Sequence, residues 1–364
     1  LSDTGVDVNS CFFHDASHAV RYDAKHNDTA HRKVFLYNAY ADDKEEGANA
    51  HGTHVAGTLV GEALTESILS QYNGIAYKAR LVFFDIGKGS GSKAKLETPR
   101  RIVSIVETVY SQGARIHSAS WGAFSSSYTT DTASIDNFMC VSSRTLTSSY
   151  AHPDCLVVFA AGNEGEKGAG SISAPANGKN VLAVGSTYNA EGYRDVRAPF
   201  SCQGPTSDRR IKPDVLAPGV SIDAAASSGN EKNTCGIVSK TGTSMSTPIV
   251  AATALLLSQY LEKGYYPSGT PREEDGFVPL ASTLKALLVH SGKPVREEAS
   301  FFFGMEENAL EFPGNKQGFG RMDLSSILYW RNESSFNLFI QEGEVTSNAR
   351  HVSFSMLVSI SFSL

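Results

Sequence analysis

Short, unbroken apolar runs separated by helix-patterned stretches constrain this chain more than any other feature. Arg80-Leu81-Val82-Phe83-Phe84-Asp85, Leu156-Val157-Val158-Phe159-Ala160-Ala161, Val181-Leu182-Ala183-Val184 and Asp214-Val215-Leu216 are strand-length; Val34-Phe35-Leu36-Tyr37 and Arg115-Ile116-His117-Ser118 extend the series. Thr98-Pro99 starts a helix carrying Ile102, Val103, Ile105, Val106 and Val109, which Gly113 ends, and Leu284 to His290 reads as another. Continuous rather than alternating apolar strands need cover on both faces. The pattern therefore predicts an α/β fold of three layers around a mostly parallel central sheet. In such sheets sites form outside the carboxyl ends of the strands, where Asp3, the segment Ser118 to Gly122, and Asn163 fall.

Composition narrows the function classes. Of 364 residues, 41% are apolar and 19% charged, an ordinary globular balance. A net charge of −6 with no Lys/Arg stripe makes nucleic acid an unsuitable partner. The longest apolar runs, Ile249 to Leu257 and Val352 to Leu364, are too short or too interrupted by serine to span a bilayer. Five cysteines lack any C-x-x-C spacing, which argues against a zinc or redox pair. Cys140 and Cys155 flank one insertion, which a disulfide between them could close. Asn27-Asp28-Thr29 and Asn332-Glu333-Ser334 fit glycosylation acceptors, which favours an extracellular or secretory-pathway setting.

Surface excursions are expected at Asp15 to Lys33, Asp42 to Gly47, the serine/threonine-rich Ala123 to Asp154, and the Gly/Pro/Glu-rich Lys263 to Pro279. Past Met322 the composition changes, and Phe336 to Ile340 and Val352 to Leu364 alternate apolar with polar as antiparallel strands do. The expected division is an α/β domain over 1–328 and an incomplete β-rich, jelly-roll-like segment over 329–364.

Three glycine-marked segments carry the chemistry. Asp3-Thr4-Gly5 places a carboxylate at a strand end. A bare Asp-Thr-Gly also suits an aspartic protease, but that mechanism needs a second such motif, and none is found. His51-Gly52-Thr53-His54 precedes a run of small and apolar residues built for close helix packing; with no Glu between the histidines, the H-E-x-x-H metal logic fails. Lys240-Thr241-Gly242-Thr243-Ser244-Met245-Ser246-Thr247-Pro248 feeds a buried apolar helix, with Pro248 expected in its first turn. Ser244 then lies at the positive end of a helix dipole, where developing negative charge is favoured.

Asp, His and Ser occur in that chain order, the order known for subtilisin. With Ala160-Ala161-Gly162-Asn163-Glu164-Gly165 they closely resemble the subtilisin-like serine proteases (subtilases, peptidase family S8), the four motifs matching in order over roughly residues 2 to 325. The resemblance implies a subtilisin-like fold and a serine endopeptidase acting on polypeptides. Ser244 would be nucleophile, His51 general base, Asp3 the group orienting its ring, and Asn163 the oxyanion donor; His54 would be structural. It also implies that Ser118, Ala119, Ser120, Trp121 and Gly122 pair with an extended peptide, that Ala160, Ala161 and Gly162 wall the pocket for the residue before the cut, and that Ser173 floors it. Those segments bear no carboxylate, so a broad preference or one for an apolar or aromatic residue is expected there, and a paired-basic specificity is disfavoured.

The resemblance further implies that 1–328 is a peptidase domain truncated at its N-terminal end, since relatives carry strand, helix and a removable propeptide ahead of the aspartate, and that a propeptide or inhibitor is an expected partner. Catalysis should need no cofactor. Calcium is a possible structural ion, although Glu66 to Gly74 shows no clear oxygen-ligand series and its ligands are unassigned. Arg209 stands where the family has glycine, a cost only if that turn needs positive φ. The rival expectation is a catalytically incompetent binding module that keeps the motifs.

Overall fold

The computed structural model describes residues 1–23, 27–41, 50–64, 68–89, 95–140, 152–227, 235–297 and 309–342. The expected segments Asp42 to Gly47 and Val352 to Leu364 lie outside them. Strands are β1 Ser2–Asp3, β2 Val34–Ala39, β3 Leu81–Asp85, β4 Gly87–Lys88, β5 Lys95–Leu96, β6 Ile116–Ala119, β7 Leu156–Ala160, β8 Leu182–Thr187, β9 Val196–Arg197, β10 Val215–Pro218, β11 Ile222–Ala225, β12 Ile237–Lys240 and β13 Arg296–Glu297. Helices are α1 His51–Val60, α2 Val103–Ser111, α3 Thr130–Met139, α4 Thr243–Glu262 and α5 Ala281–His290.

The central sheet runs β13-β9-β8-β7-β6-β1-β3-β2, with β10 also paired to β8. From β2 to β8 every neighbour is parallel; β8 and β9 form the antiparallel pair. Strand β3 shows why its run is unbroken. Val82 and Phe84 pack with Ile105 and Val109 of α2, while Leu81 and Phe83 join the larger core containing Val55 of α1 and Val250 of α4. Both faces are covered, as the continuous runs require.

Strand β1 lies between β3 and β6, so the chain winds outward from it in both directions. Such a reversal of strand order opens a crevice at the carboxyl ends. Asp3 ends β1, the segment after Ala119 follows β6, and Asn163 follows β7.

Several expectations are corrected. The insertion Ala123 to Asp154 is not only surface loop, because α3 buries Ile135, Phe138 and Met139 within it. Thr129 caps that helix by accepting from the Thr132 N–H. Phe336 to Ile340 forms no strand; Leu338 is buried in the main core, and Ile340 exchanges hydrogen bonds with the Tyr266 hydroxyl. The disulfide joins Cys11 to Cys235, across 224 residues of sequence, and no bond links Cys140 to Cys155. Arg209 has φ 65°, so its turn does carry the left-handed strain that a glycine would avoid. Pro248 is not in the first turn of α4 but one turn further in.

Candidate active site

The Asp3 loop and the start of α1 are stitched together. The Gly52 N–H donates to Thr4 Oγ1 at 3.0 Å, and the Asp7 N–H donates to Thr53 Oγ1 at 2.7 Å. A Cβ at Gly52 would lie 1.9 Å from the Gly5 carbonyl oxygen, so only glycine permits this approach. The seam sets His51 beside Asp3, whose Oδ1 accepts from His51 Nδ1 at 2.7 Å and from the Thr4 N–H at 2.8 Å. Asp3 is 1% exposed. With Nδ1 donating to a carboxylate, the neutral imidazole carries its lone pair on Nε2.

His54 is a different case. It is buried, its Nε2 donates to the Ile222 carbonyl at 2.9 Å, and burial drives its pKa down to about 4. It holds α1 against β11 as a neutral ring.

Ser244 is the second residue of α4, within reach of the dipole's positive end. In an unbroken helix its carbonyl would accept from residue 248, but Pro248 has no N–H. The Ser120 hydroxyl donates to that carbonyl instead, at 2.8 Å, and the Ser244 hydroxyl donates to the Ser120 carbonyl at 3.0 Å. This reciprocal pair fixes the segment after β6 against the start of α4.

Asn163 is oriented by its neighbours. The Thr243 N–H and hydroxyl both donate to Asn163 Oδ1, at 2.8 and 2.9 Å. A backbone N–H can only donate, so the amide oxygen is assigned and Nδ2 is the donor end left for a ligand. Thr243 Oγ1 also accepts from the Gly162 N–H at 3.2 Å, tying the end of β7 to α4.

A cavity of about 400 Å³ opens where these elements meet, lined by Ser120, Trp121, Gly122, Ala160, Gly162, Asn163, Ser173 and Ser244 among others. Gly122 and Gly162 (φ 108°) face each other across the Ser173 hydroxyl, which donates to the Ala161 carbonyl at 3.1 Å. The side chains of Ser118, Ala119 and Ala161 are buried and do not line the cavity. Ser118 and Ala119 lie within β6, a strand covered on both faces, and Ala161 directly follows β7. Sequence reasoning missed Phe124, which is 94% exposed at the cavity, Cys202 beneath Gly162, and the Glu164–Lys167 ion pair at 2.6 Å. Cys202 accepts from the Glu164 N–H, and burial raises its thiol pKa. Its place beside the cavity had no signal in its local sequence. Among the described residues no cluster of three or more His, Cys, Asp or Glu side chains is arranged to hold a metal.

The profile described as Subtilase family matches residues 1–320. The chain belongs to the subtilase family. That family comprises serine-type peptidases, and the expected three-layer α/β subtilase fold is the one observed. Among characterised relatives, the serine protease/ABC transporter B family protein tagD of Dictyostelium discoideum is 29% identical over 80% of this chain and 20% of its own length. Subtilisin Savinase of Lederbergia lenta is 34% identical over 59% of this chain and 65% of its own. The chain thus spans about a fifth of the length of the Dictyostelium relatives it matches. Of solved structures, the prenylagaramide maturation protease PagA aligns with TM-score 0.56 at 21% identity, covering 89% of this chain and 88% of that one. A mutant of the PatA protease domain aligns with TM-score 0.55 at 24% identity, over 89% and 90% of the two chains. At these identities the likeness shows a shared fold.

Proposed function

We propose that this subtilase chain is a serine endopeptidase in which Ser244 attacks the scissile carbonyl, His51 takes its proton, and Asp3 holds the ring. The observation that carries the reading is the 2.7 Å contact from His51 Nδ1 to a buried Asp3 carboxylate. That contact sets the tautomer whose Nε2 acts as base, and the carboxylate stabilises the imidazolium that follows. Rotation of the Ser244 side chain would move its proton from the Ser120 carbonyl to that nitrogen. Asn163 Nδ2 and the Ser244 N–H would then receive the oxyanion, in a site whose dipoles are set before reaction begins.

The cavity suits an apolar residue before the cut. Its walls combine Gly122, Gly162, Ala160 and the Trp121 ring with the uncharged hydroxyls of Ser120 and Ser173, and the carboxylate lining it, Glu164, is paired with Lys167. An extended polypeptide would lie along the Ser120 to Gly122 edge. The disulfide between Cys11 and Cys235 supports work in an oxidising compartment.

The test is Ser244→Ala. Hydrolysis of unfolded casein and labelling by a fluorophosphonate should both disappear, with the thermal melt retained. Residual labelling, or casein left intact by the parent chain, would favour the incompetent binding module.

A further inference from the structure

Strand β1 carries Asp3 in the centre of the sheet, between β3 and β6. Its register on β6 rests on a single pair, Ser2 against Ala119. On its other side β3 pairs with both residues, and the Phe84 and Ile86 N–H groups donate to the Leu1 and Asp3 carbonyls at 2.9 and 3.0 Å. A side-chain chain adds to it. Trp121 Nε1 donates to the Ser2 carbonyl at 3.1 Å and to Ser2 Oγ at 3.0 Å, and Ser2 Oγ lies 3.0 Å from His117 Nε2. Ser2 and His117 are 0% and 1% exposed.

Proton accounting gives the chain a direction. An indole N–H only donates, so Ser2 Oγ accepts from Trp121. The serine proton is used only if it goes to His117 Nε2, which makes His117 a neutral acceptor with its own proton on Nδ1. Burial is consistent with this, since it drives the His117 pKa well below the ordinary imidazole value. Nδ1 is buried without a hydrogen-bond partner among the described residues. A polar group orphaned in this way costs stability, and an apolar side chain at residue 117 would avoid the cost.

The two ends of the chain have different surroundings. Trp121 lines the cavity and stands edge-on to Phe159 of β7, with ring centroids 5.5 Å apart, while Ser2 and His117 do not reach the cavity. Ser2 is bonded directly to Asp3 in sequence.

We infer that Trp121, Ser2 and His117 are positioning residues: the chain Trp121 Nε1 to Ser2 to His117 fastens the carboxylate-bearing strand to the substrate edge and so sets where Asp3 holds the His51 ring. The inference rests on the peptidase reading above, and it makes Trp121 more than a wall of the pocket. A ring packed on by substrate is also the ring whose N–H fixes the strand beneath the carboxylate.

Two substitutions separate these roles. Trp121→Phe keeps an aromatic wall and removes the donor; His117→Leu removes the acceptor at a residue that no substrate touches. For each, kcat and KM on a peptide substrate and the rate of fluorophosphonate labelling of Ser244 are measured, with folding checked by thermal melt. A displacement of about 1 Å in a catalytic group can cost roughly a hundredfold, so a smaller slip of β1 should slow labelling and kcat together by about tenfold. KM for His117→Leu should be unchanged. Labelling at the parental rate in both variants, or a change confined to KM in Trp121→Phe, overturns the inference. Should His117→Leu fail to fold, Trp121→Phe alone decides it. A parent chain that does not label at all brings down the peptidase reading and this inference together, a result distinct from failure in the variants only.

Discussion

At Asn163 one side chain's orientation decides a chemical role. Two donors from Thr243 occupy its oxygen, so in the proposed mechanism the amide would offer N–H to the oxyanion without having to turn. Loss of one oxyanion donor is known from subtilisin to cost about 10²–10³ in kcat, or about 2.7–4 kcal/mol. Asn163→Ala should show a loss of that size with little change in KM, measured on a chromogenic peptide. Arg209 makes a smaller and opposite prediction. Its exposed side chain sits on a backbone at φ 65°, so Arg209→Gly should stabilise the fold by about 1 kcal/mol in a urea titration. Individual residues were the most legible level of this chain, because glycine-marked motifs advertise where backbone must come close. Gly52 against Gly5 is such a place. Cys202 was illegible because its place at the cavity depends on how distant strands are arranged.

Among elements, the start of α4 shows a helix defect put to use. Pro248 removes the N–H that would have engaged the Ser244 carbonyl, and Ser120 supplies the replacement donor from another part of the chain. Ser120→Ala should therefore destabilise the fold by about 1 kcal/mol, through the acceptor left unpaired. Pro248→Ala returns a backbone donor, so the same Ser120→Ala change should cost less in that background; a double-mutant cycle by chemical denaturation measures the difference. Equal costs in both backgrounds would show that the carbonyl is satisfied some other way. Strands β3 and β7 were readable from their unbroken apolar runs. Helix α3 was hidden by its serine, threonine and aspartate residues, although Ile135, Phe138 and Met139 fall at the i, i+3, i+4 spacing of a buried face. Phe336 to Ile340 misled because alternation over a few residues also describes a loop pinned by one buried leucine.

Across the whole molecule, a buried ionic cluster fastens α5 to the sheet. Asp214 accepts from Lys212 Nζ at 2.6 Å and from the Ala183 N–H at 2.7 Å, and Lys285 Nζ lies 3.1 Å from its other oxygen. Burial alone would raise the Asp214 pKa, but the two ammonium groups and the amide outweigh it and hold the carboxyl below its ordinary range. A depressed carboxylate contributes stability above its unfolded pKa and loses it as pH falls through the folded value. Stability should thus decline below about pH 3.9, the ordinary aspartate value, as the Lys212 ammonium loses its buried partner. Asp214→Asn should cost about 3–5 kcal/mol near neutral pH and flatten that acid limb, followed by denaturation at a series of pH values. Parent and variant curves that stay parallel would remove Asp214 from the account. Topology also explains the sulfur chemistry. Cysteines on either side of an insertion looked like natural partners, whereas the fold brings the loop after β1 to the start of β12. That cross-link has a practical outcome for a molecule exposed to its own kind. A single cut in any loop between Cys11 and Cys235 severs the chain without releasing either piece, so nicked enzyme should migrate as one band until a reductant splits it, with the aspartate on one fragment and the serine on the other.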